Sequence, residues 1–442
     1  MIFMNANYDK AILYGKVYMN KEFVHKHIYI KDQKIVKISD ELYEAEEIID
    51  AQGLEVIPGI IDPHVHFELN LGHVTSVDDF YTGSAAAVYG GVTTIIDFLD
   101  PVDHPSEIEA AFSKRSDLAK KSVCDYSFHA TIKKPKGSLK EFVQKIKQMG
   151  IPTLKFFTTY SDSNRRTYDE HIIDLMKLSE EENIMLLGHI ESDELIRLDD
   201  MFLAKDLPLS RPAISETIEA LKLAEMLRSY GGKLYMVHLS SGRTLEVLSG
   251  TYKSLINKSF FIESCPQYFS FTKDVLNEEE GYLYTFAPPL RSPEEQALLF
   301  KYSDYIDTIG TDHCAFHKSQ KAHKFLKDIP LGIGGVEHSF NVMRHHLGDD
   351  VIDKMTRRVA ELHGIRNKGE LKEGYDADLF LYEPLKVAQI TDNHAQSDYS
   401  VYDKHPIEGK IVSTMIRGQF VMRNRKFIGG KGQWLRRRLS DE

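Results

Sequence analysis

Short apolar runs recur along the middle of the chain, separated by charged stretches suited to helices. Eight stand out: Val56-Ile-Pro-Gly-Ile-Ile-Asp62, Val92-Thr-Thr-Ile-Ile-Asp-Phe98, Tyr126-Ser-Phe-His-Ala-Thr-Ile132, Thr153-Leu-Lys-Phe-Phe157, Ile184-Met-Leu-Leu187, Leu234-Tyr-Met-Val237, Phe260-Phe-Ile262 and Tyr305-Ile-Asp-Thr-Ile309. Near-continuous apolarity of this kind marks parallel strands covered on both faces, not strands with one wet side. The intervening segments, such as Leu139-Lys-Glu-Phe-Val-Gln-Lys-Ile-Lys147, mix charge with helix-compatible spacing. Eight strand–helix units over roughly 250–300 residues predict an α/β architecture, the (β/α)8 TIM barrel. An open doubly wound sheet is the alternative, but it would carry a Gly-rich phosphate loop, and none is found.

The two flanks read differently. Residues 1–56 and about 366–430 hold short alternating strands with turns, as in His27-Ile-Tyr-Ile-Lys-Asp-Gln-Lys-Ile-Val36 and Asp378-Leu-Phe-Leu-Tyr382. Neither end has enough strands for a sheet core of its own. The expectation is one small β-sandwich domain built from both ends, beside a catalytic barrel over 57–365, with 431–442 as a polar C-terminal tail.

Composition narrows the function. With 66 acidic against 55 basic side chains, the net charge is −11, which argues against binding nucleic acid. The one dense basic cluster, Arg436-Arg437-Arg438, reads as a solvated end. No apolar run is long enough to span a bilayer, and the first residues lack a signal peptide's apolar stretch. A cytoplasmic protein is expected. Three scattered cysteines form neither a disulfide framework nor a thiolate zinc site.

Histidine placement carries the chemistry. His64 and His66 follow the first apolar run, and residues two apart on a strand face the same way. Alone, such a pair is more often two polar loop residues; after a buried barrel strand it suits two ligands of one metal ion. His189 and His238 each repeat the placement, and Asp312 follows the last run. An isolated Asp there could be a helix N-cap. With four histidines at strand ends it becomes a candidate ligand and general base. Lys155 lies inside a run that should be buried, where an ammonium is costly. Burial lowers a lysine's pKa, and a neutral amine can add carbon dioxide to form a carbamate, a carboxylate able to bridge two cations. Two divalent ions would be offset by that carbamate, Asp312 and a bridging hydroxide, whereas an ammonium would be repelled. A lysine ion-paired within the barrel is the bland alternative.

His64-Val-His66, Lys155, His189, His238 and Asp312, in that order on eight strands, resemble the binuclear amidohydrolase superfamily over nearly the whole chain. Its cyclic amidases include dihydropyrimidinases (hydantoinases), allantoinases and dihydroorotases. Gly90-Gly-Val-Thr-Thr-Ile-Ile-Asp-Phe98, Cys265-Pro-Gln-Tyr268, Pro288-Pro-Leu-Arg291 and Gly310-Thr-Asp-His-Cys314 are similar to the hydantoinase branch. The resemblance implies two divalent metal ions, zinc being expected and manganese or cobalt compatible with the ligands. His64, His66 and Asp312 would hold the more buried ion, His189 and His238 the more exposed, with carbamylated Lys155 between them. It implies hydrolysis of a hydantoin or dihydropyrimidine ring to an N-carbamoyl amino acid, with Asp312 as general base and then acid. Tyr160, five residues after Lys155, would hydrogen-bond the substrate carbonyl. The branch's Ser before Pro-Pro-Leu-Arg is Ala287 here, and its Asn after Ile-Pro is Leu331; both positions meet the ring mainly through backbone. Dihydroorotases place an arginine shortly after His-x-His, whereas Phe67-Glu68-Leu69 stands here, and Glu68 is expected to repel a substrate carboxylate. Allantoinase, another cyclic-amide or N-acyl hydrolase, or a non-catalytic scaffold of the same fold remain alternatives. The segments 67–76 and 157–166 are expected to set substrate size, and a homo-oligomer, tetramer or dimer, is expected by analogy.

Overall fold

The computed structural model describes residues 4–440. Eight parallel strands pair in chain order: β1 Ile60–Val65, β2 Val92–Phe98, β3 Asp125–Thr131, β4 Thr153–Phe157, β5 Met185–His189, β6 Leu234–Met236, β7 Phe260–Ser264 and β8 Thr308–Ile309. Nearly every strand position is buried, as β-branched and aromatic residues covered on both faces require. The ring closes just past β8, where Val65 bridges His313 and the His66 N–H donates to the His313 carbonyl at 2.8 Å. Helices cover the outside, several opened by side-chain caps. Asp79 caps Phe80–Tyr89, Ser138 caps Leu139–Gln148 and Ser292 caps Pro293–Lys301. Leu139–Gln148 turns Phe142, Val143 and Ile146 inward.

Both chain ends build the second unit. Lys34–Ser39, His27–Lys31, Met4–Leu13 and Tyr43–Asp50 form a four-stranded sheet. A seven-stranded sheet runs from Lys426–Phe427 through Gln419–Arg423, Pro406–Ile416, Leu379–Gln389, Glu55–Pro58 and Lys16–Met19 to Glu22–His25. Ile12, Ile28, Ile30 and Ile35 of the first sheet share a core with Val17, Val56, Leu379 and Met415 of the second. Among the described residues, no helix is long and apolar enough to cross a membrane.

Two expectations need correction. The run Val56–Asp62 is not one strand: Glu55–Pro58 pairs with Leu379–Tyr382, and β1 starts at Ile60. The switch occurs at Gly59, where a Cβ would lie 2.3 Å from Thr93 Oγ1, so only glycine lets the chain pass. The basic cluster near the C-terminus is not a solvated end either. Leu435 N–H donates to the Tyr126 carbonyl on β3, Trp434 stacks on Phe128, and Arg437 is only 3% exposed. Its guanidinium donates to Ser127 Oγ and Thr153 Oγ1, both at 2.8 Å, to the His363 carbonyl at 3.0 Å and to the Phe128 carbonyl. The tail thus satisfies polar groups of β3 and β4 from the side, which a charge run alone does not announce.

Arg437→Met should therefore lower global stability by about 2–4 kcal/mol, because buried carbonyl and hydroxyl partners lose a charged donor. A urea-unfolding midpoint equal to the parent's would show that the tail contributes nothing.

Candidate metal centre and active-site cleft

The strand tips converge on one cleft of about 1240 Å³, lined by His64, His66, Lys155, Tyr160, His189, His238, Ala287, Asp312 and Leu331 among others. All nine residues singled out from the sequence lie on its wall. His64 is on β1 and His66 one residue past it, Lys155 is mid-β4, and His189 ends β5. His238 follows β6, and Asp312 follows β8. Asp312 Oδ1 is 3.2 Å from His64 Nε2 and 3.1 Å from His66 Nε2. His189 Nδ1 lies 3.0 Å from His238 Nε2. One ligand atom each from His64, His238 and Asp312 fall within 4.8 Å of one another.

Three of these residues adopt left-handed backbone: Tyr160 at φ 70°, His238 at φ 41° and Asp312 at φ 53°. For a residue with a Cβ this costs on the order of 1–2 kcal/mol. Such outliers persist where the surroundings over-determine them, and they cluster at functional sites.

The outer faces of the imidazoles are pinned by carboxylates that the sequence reading missed. Glu263 on β7 is fully buried and takes the His64 Nδ1 proton at 2.7 Å, the His238 N–H at 3.0 Å and the Tyr235 hydroxyl at 2.9 Å. The apolar run around it was read as ending at Ile262, one residue short. Glu263 has room because position 310 is glycine: a Cβ there would meet Glu263 Oε2 at 2.7 Å. Glu191, two residues after His189, accepts from His189 Nε2 at 2.7 Å and from the Arg211 guanidinium at 2.5 Å. With its proton held at Nε2, His189 presents Nδ1 as a bare acceptor toward His238. Carboxylate–imidazole pairs of this kind orient metal ligands and raise their basicity.

The electrostatics fit a cation. Burial alone would hold His64 neutral, yet Glu263 and Asp312 lift it to about 9. Burial also opposes the charge on Asp312, but the imidazoles of His64 and His66 keep its carboxyl well below the usual range. The proton on His64 thus supplies positive charge that a metal ion would otherwise bring. His189 and His238 are both pushed down, by burial first, and His238 Nδ1 is buried without a hydrogen-bond partner. Lys155 is 3% exposed. Among the described residues its ammonium makes no hydrogen bond or ion pair and lies 5.4 and 5.5 Å from the rings of Phe98 and Phe157. Burial pulls it down to about 8, against the raising pull of Asp312 and Glu263.

Tyr160 is held by its ring, 4.9 Å from His189 and under the Arg211 guanidinium at 4.7 Å. Its phenol, which burial pushes up to about 12, keeps its proton at neutral pH. The cleft wall draws on 69–73 and 157–165, on 286–287 and 326–332, where Ala287 and Leu331 are expected to meet the ring, and also on 196–202, which the sequence reading did not single out. Glu68 is a further correction: it does not line the cleft, where Leu69, Asn70 and Leu71 stand instead. Contact repulsion from Glu68 therefore does not arise at the wall, and no arginine stands in the 67–71 stretch.

A model of the amidohydrolase family matches residues 56–201 and 295–421. The chain is 31% identical to a D-phenylhydantoinase of Escherichia coli O127:H6, over 89% of this chain and 90% of that protein. It is 30% identical to a D-hydantoinase of Geobacillus stearothermophilus, over 97% and 96%. The crystal structure of dihydropyrimidinase from Brevibacillus agri NCHU1002 matches with a TM-score of 0.92 at 26% identity, over 98% of this chain and all of that one.

Glu263→Gln and Glu191→Gln should each weaken divalent-metal affinity by about 10–100-fold with the fold retained, since each loosens an imidazole from its carboxylate. Competition with a chromophoric chelator measures this; parental affinity in both variants would remove the carboxylates from the metal site.

Proposed function

The chain belongs to the amidohydrolase family, and on that premise we propose that it hydrolyses cyclic amides, opening a hydantoin or dihydropyrimidine ring to an N-carbamoyl amino acid. The observation that carries this is the full donor set at the strand tips, together with Lys155 buried in it and, among the described residues, without a hydrogen bond or ion pair. Family membership implies divalent metal. His64, His66 and Asp312 would hold one ion and His189 and His238 a second, zinc being the expected metal, with Lys155 carbamylated between them. Such ions supply hydroxide near neutral pH and polarise a carbonyl.

The chain's own groups do the rest. Tyr160, protonated and, among the described residues, without a hydrogen-bond partner for its hydroxyl, donates to the ring carbonyl oxygen as negative charge develops there. Asp312 takes the proton released when the C–O bond forms and returns it to the ring nitrogen as the C–N bond breaks, first base and then acid. Burial holds a share of Lys155 in the neutral form that reacts with carbon dioxide. Leu69, Leu71, Phe157, Ile196 and Phe202 give the cleft an apolar side for a ring substituent. Ile214 and Ile218, exposed one turn apart on helix Ala213–Tyr230, support self-association through that face. The free, buried Cys124, Cys265 and Cys314 support a reducing, cytoplasmic setting.

The deciding experiment is a ring-opening assay on metal-supplemented protein in bicarbonate, with hydantoins, dihydrouracil, allantoin and dihydroorotate side by side. Turnover of hydantoins or dihydrouracil supports the proposal, allantoin alone transfers it to that substrate, and no turnover with full metal content leaves a scaffold. Lys155→Ala should lose metal and nearly all activity, with partial recovery on adding short carboxylates; an active variant would dispose of the carbamate. Tyr160→Phe should keep its metal and lose rate on the order of 100-fold, the size of one oxyanion donor, as read from kcat at saturating substrate.

A further inference from the structure

Lys321 ends the short helix Lys318–Lys321, and its side chain is fully buried. Among the described residues it has no carboxylate within ion-pair distance. Its ammonium donates instead to two backbone carbonyls, Thr285 at 2.8 Å and Gly332 at 2.6 Å. The Gly332 N–H also donates to the Thr285 carbonyl at 3.0 Å, which fills both acceptor sites of that oxygen. Burial without a counter-charge pulls the ammonium down to about 7. Replacing such a lysine with an apolar residue would spare the desolvation cost, so its presence calls for a reason beyond packing.

The clamped segments supply one. Phe286 and Ala287 follow Thr285 on the cleft wall, and Pro330, Leu331 and Gly332 form the wall beside them. At 287 and 331 the chain offers alanine and leucine, which have no polar side-chain atom, so any polar contact with a ring there must come from backbone. Backbone donors and acceptors bind well only if their spacing is held. Gly332 also runs close against the 314 segment, since a Cβ would lie 2.5 Å from the Cys314 carbonyl oxygen, which leaves the segment little room to shift toward it.

We propose that Lys321 is a positioning residue for ring recognition, its buried ammonium fixing the spacing of the 285–288 and 329–332 segments so that their backbone groups meet the amide edge of the substrate. This rests on the cyclic-amide reading and deepens it. Lys321 touches neither the reacting carbonyl nor the metal ligands, so its loss should appear in substrate binding and not in the chemical step.

The test compares metal-loaded parent, Lys321→Met and Lys321→Gln on the best ring substrate of the parent. Lys321→Met should raise KM about tenfold or more, the worth of a hydrogen-bonding network to a charged donor, with kcat within about threefold and metal content unchanged. Lys321→Gln keeps an N–H donor and should fall between the two, and it carries the test alone should the Met variant not fold. Parental KM in a folded variant, or a fall in kcat with metal loss and no change in KM, overturns the proposal. A parent that opens no ring instead defeats the functional reading, which separates the two failures.

Discussion

A ring of imidazoles buried at one end of a barrel is costly unless its nitrogens find somewhere to place a proton or a lone pair. That constraint organises the cleft. Glu263 and Glu191 take the outer protons of His64 and His189, which turns the remaining nitrogens inward toward Asp312 and His238. The inward side is then crowded with acceptors and poor in positive charge, a condition met by a metal ion or, without one, by a proton held unusually tightly on His64. Each carboxylate is itself secured. Glu191 is clasped by Arg211, while Glu263 accepts from the Tyr235 hydroxyl and the His238 amide. These second partners come from different strands and loops, so the geometry of the centre depends on the closed barrel rather than on any local segment.

The same constraint explains what could be read from the sequence. Strand tips announce themselves, because an apolar run that ends in a histidine or aspartate has no packing reason to do so. The barrel, the two-ended β unit and the positions of His64, His189 and Asp312 on the cleft followed from that pattern. Supporting groups do not announce themselves. Glu263 is one acidic residue at the end of an apolar run, and Arg211 comes 20 residues after Glu191 on a different element; only the fold brings them into contact. The split at Gly59 was hidden because both halves of Val56–Asp62 are apolar and buried, and the difference lies in which neighbours they pair with. Arg437 shows the opposite failure. A charged run was taken for solvent exposure, yet the guanidinium finds its partners among carbonyls and hydroxyls of the barrel, where no charge pattern is visible.

A barrel of this kind is shared by many chemistries, and fold alone does not choose among them. Discrimination lies in the walls, which come from several separate segments between and after the strands, with the donors beneath them on strands and strand ends. The cleft is several times larger than a single small ring, and its side walls mix leucine, phenylalanine and isoleucine with Arg165, Arg197 and Asp162. On the proposed function that arrangement would divide labour: the strand tips and Tyr160 would act on the amide, and the outer walls would accommodate what the ring carries.

On the proposed function, Lys155 is the residue that would separate an enzyme from a scaffold of the same shape. Its amine reaches the cleft wall with two aromatic rings as near neighbours, and among the described residues no anion lies in ion-pair reach. Methionine or leucine would fill the same space without a desolvation cost. The histidines could persist as hydrogen-bonded packing, since each has a carboxylate or another ring beside it. The lysine, as an ammonium, has only the faces of Phe98 and Phe157 beside it among the described residues. Under the proposed function its nitrogen would carry a negative group that faces cations, and the buried amine, more than the number of histidines, would then be the physical argument for catalysis.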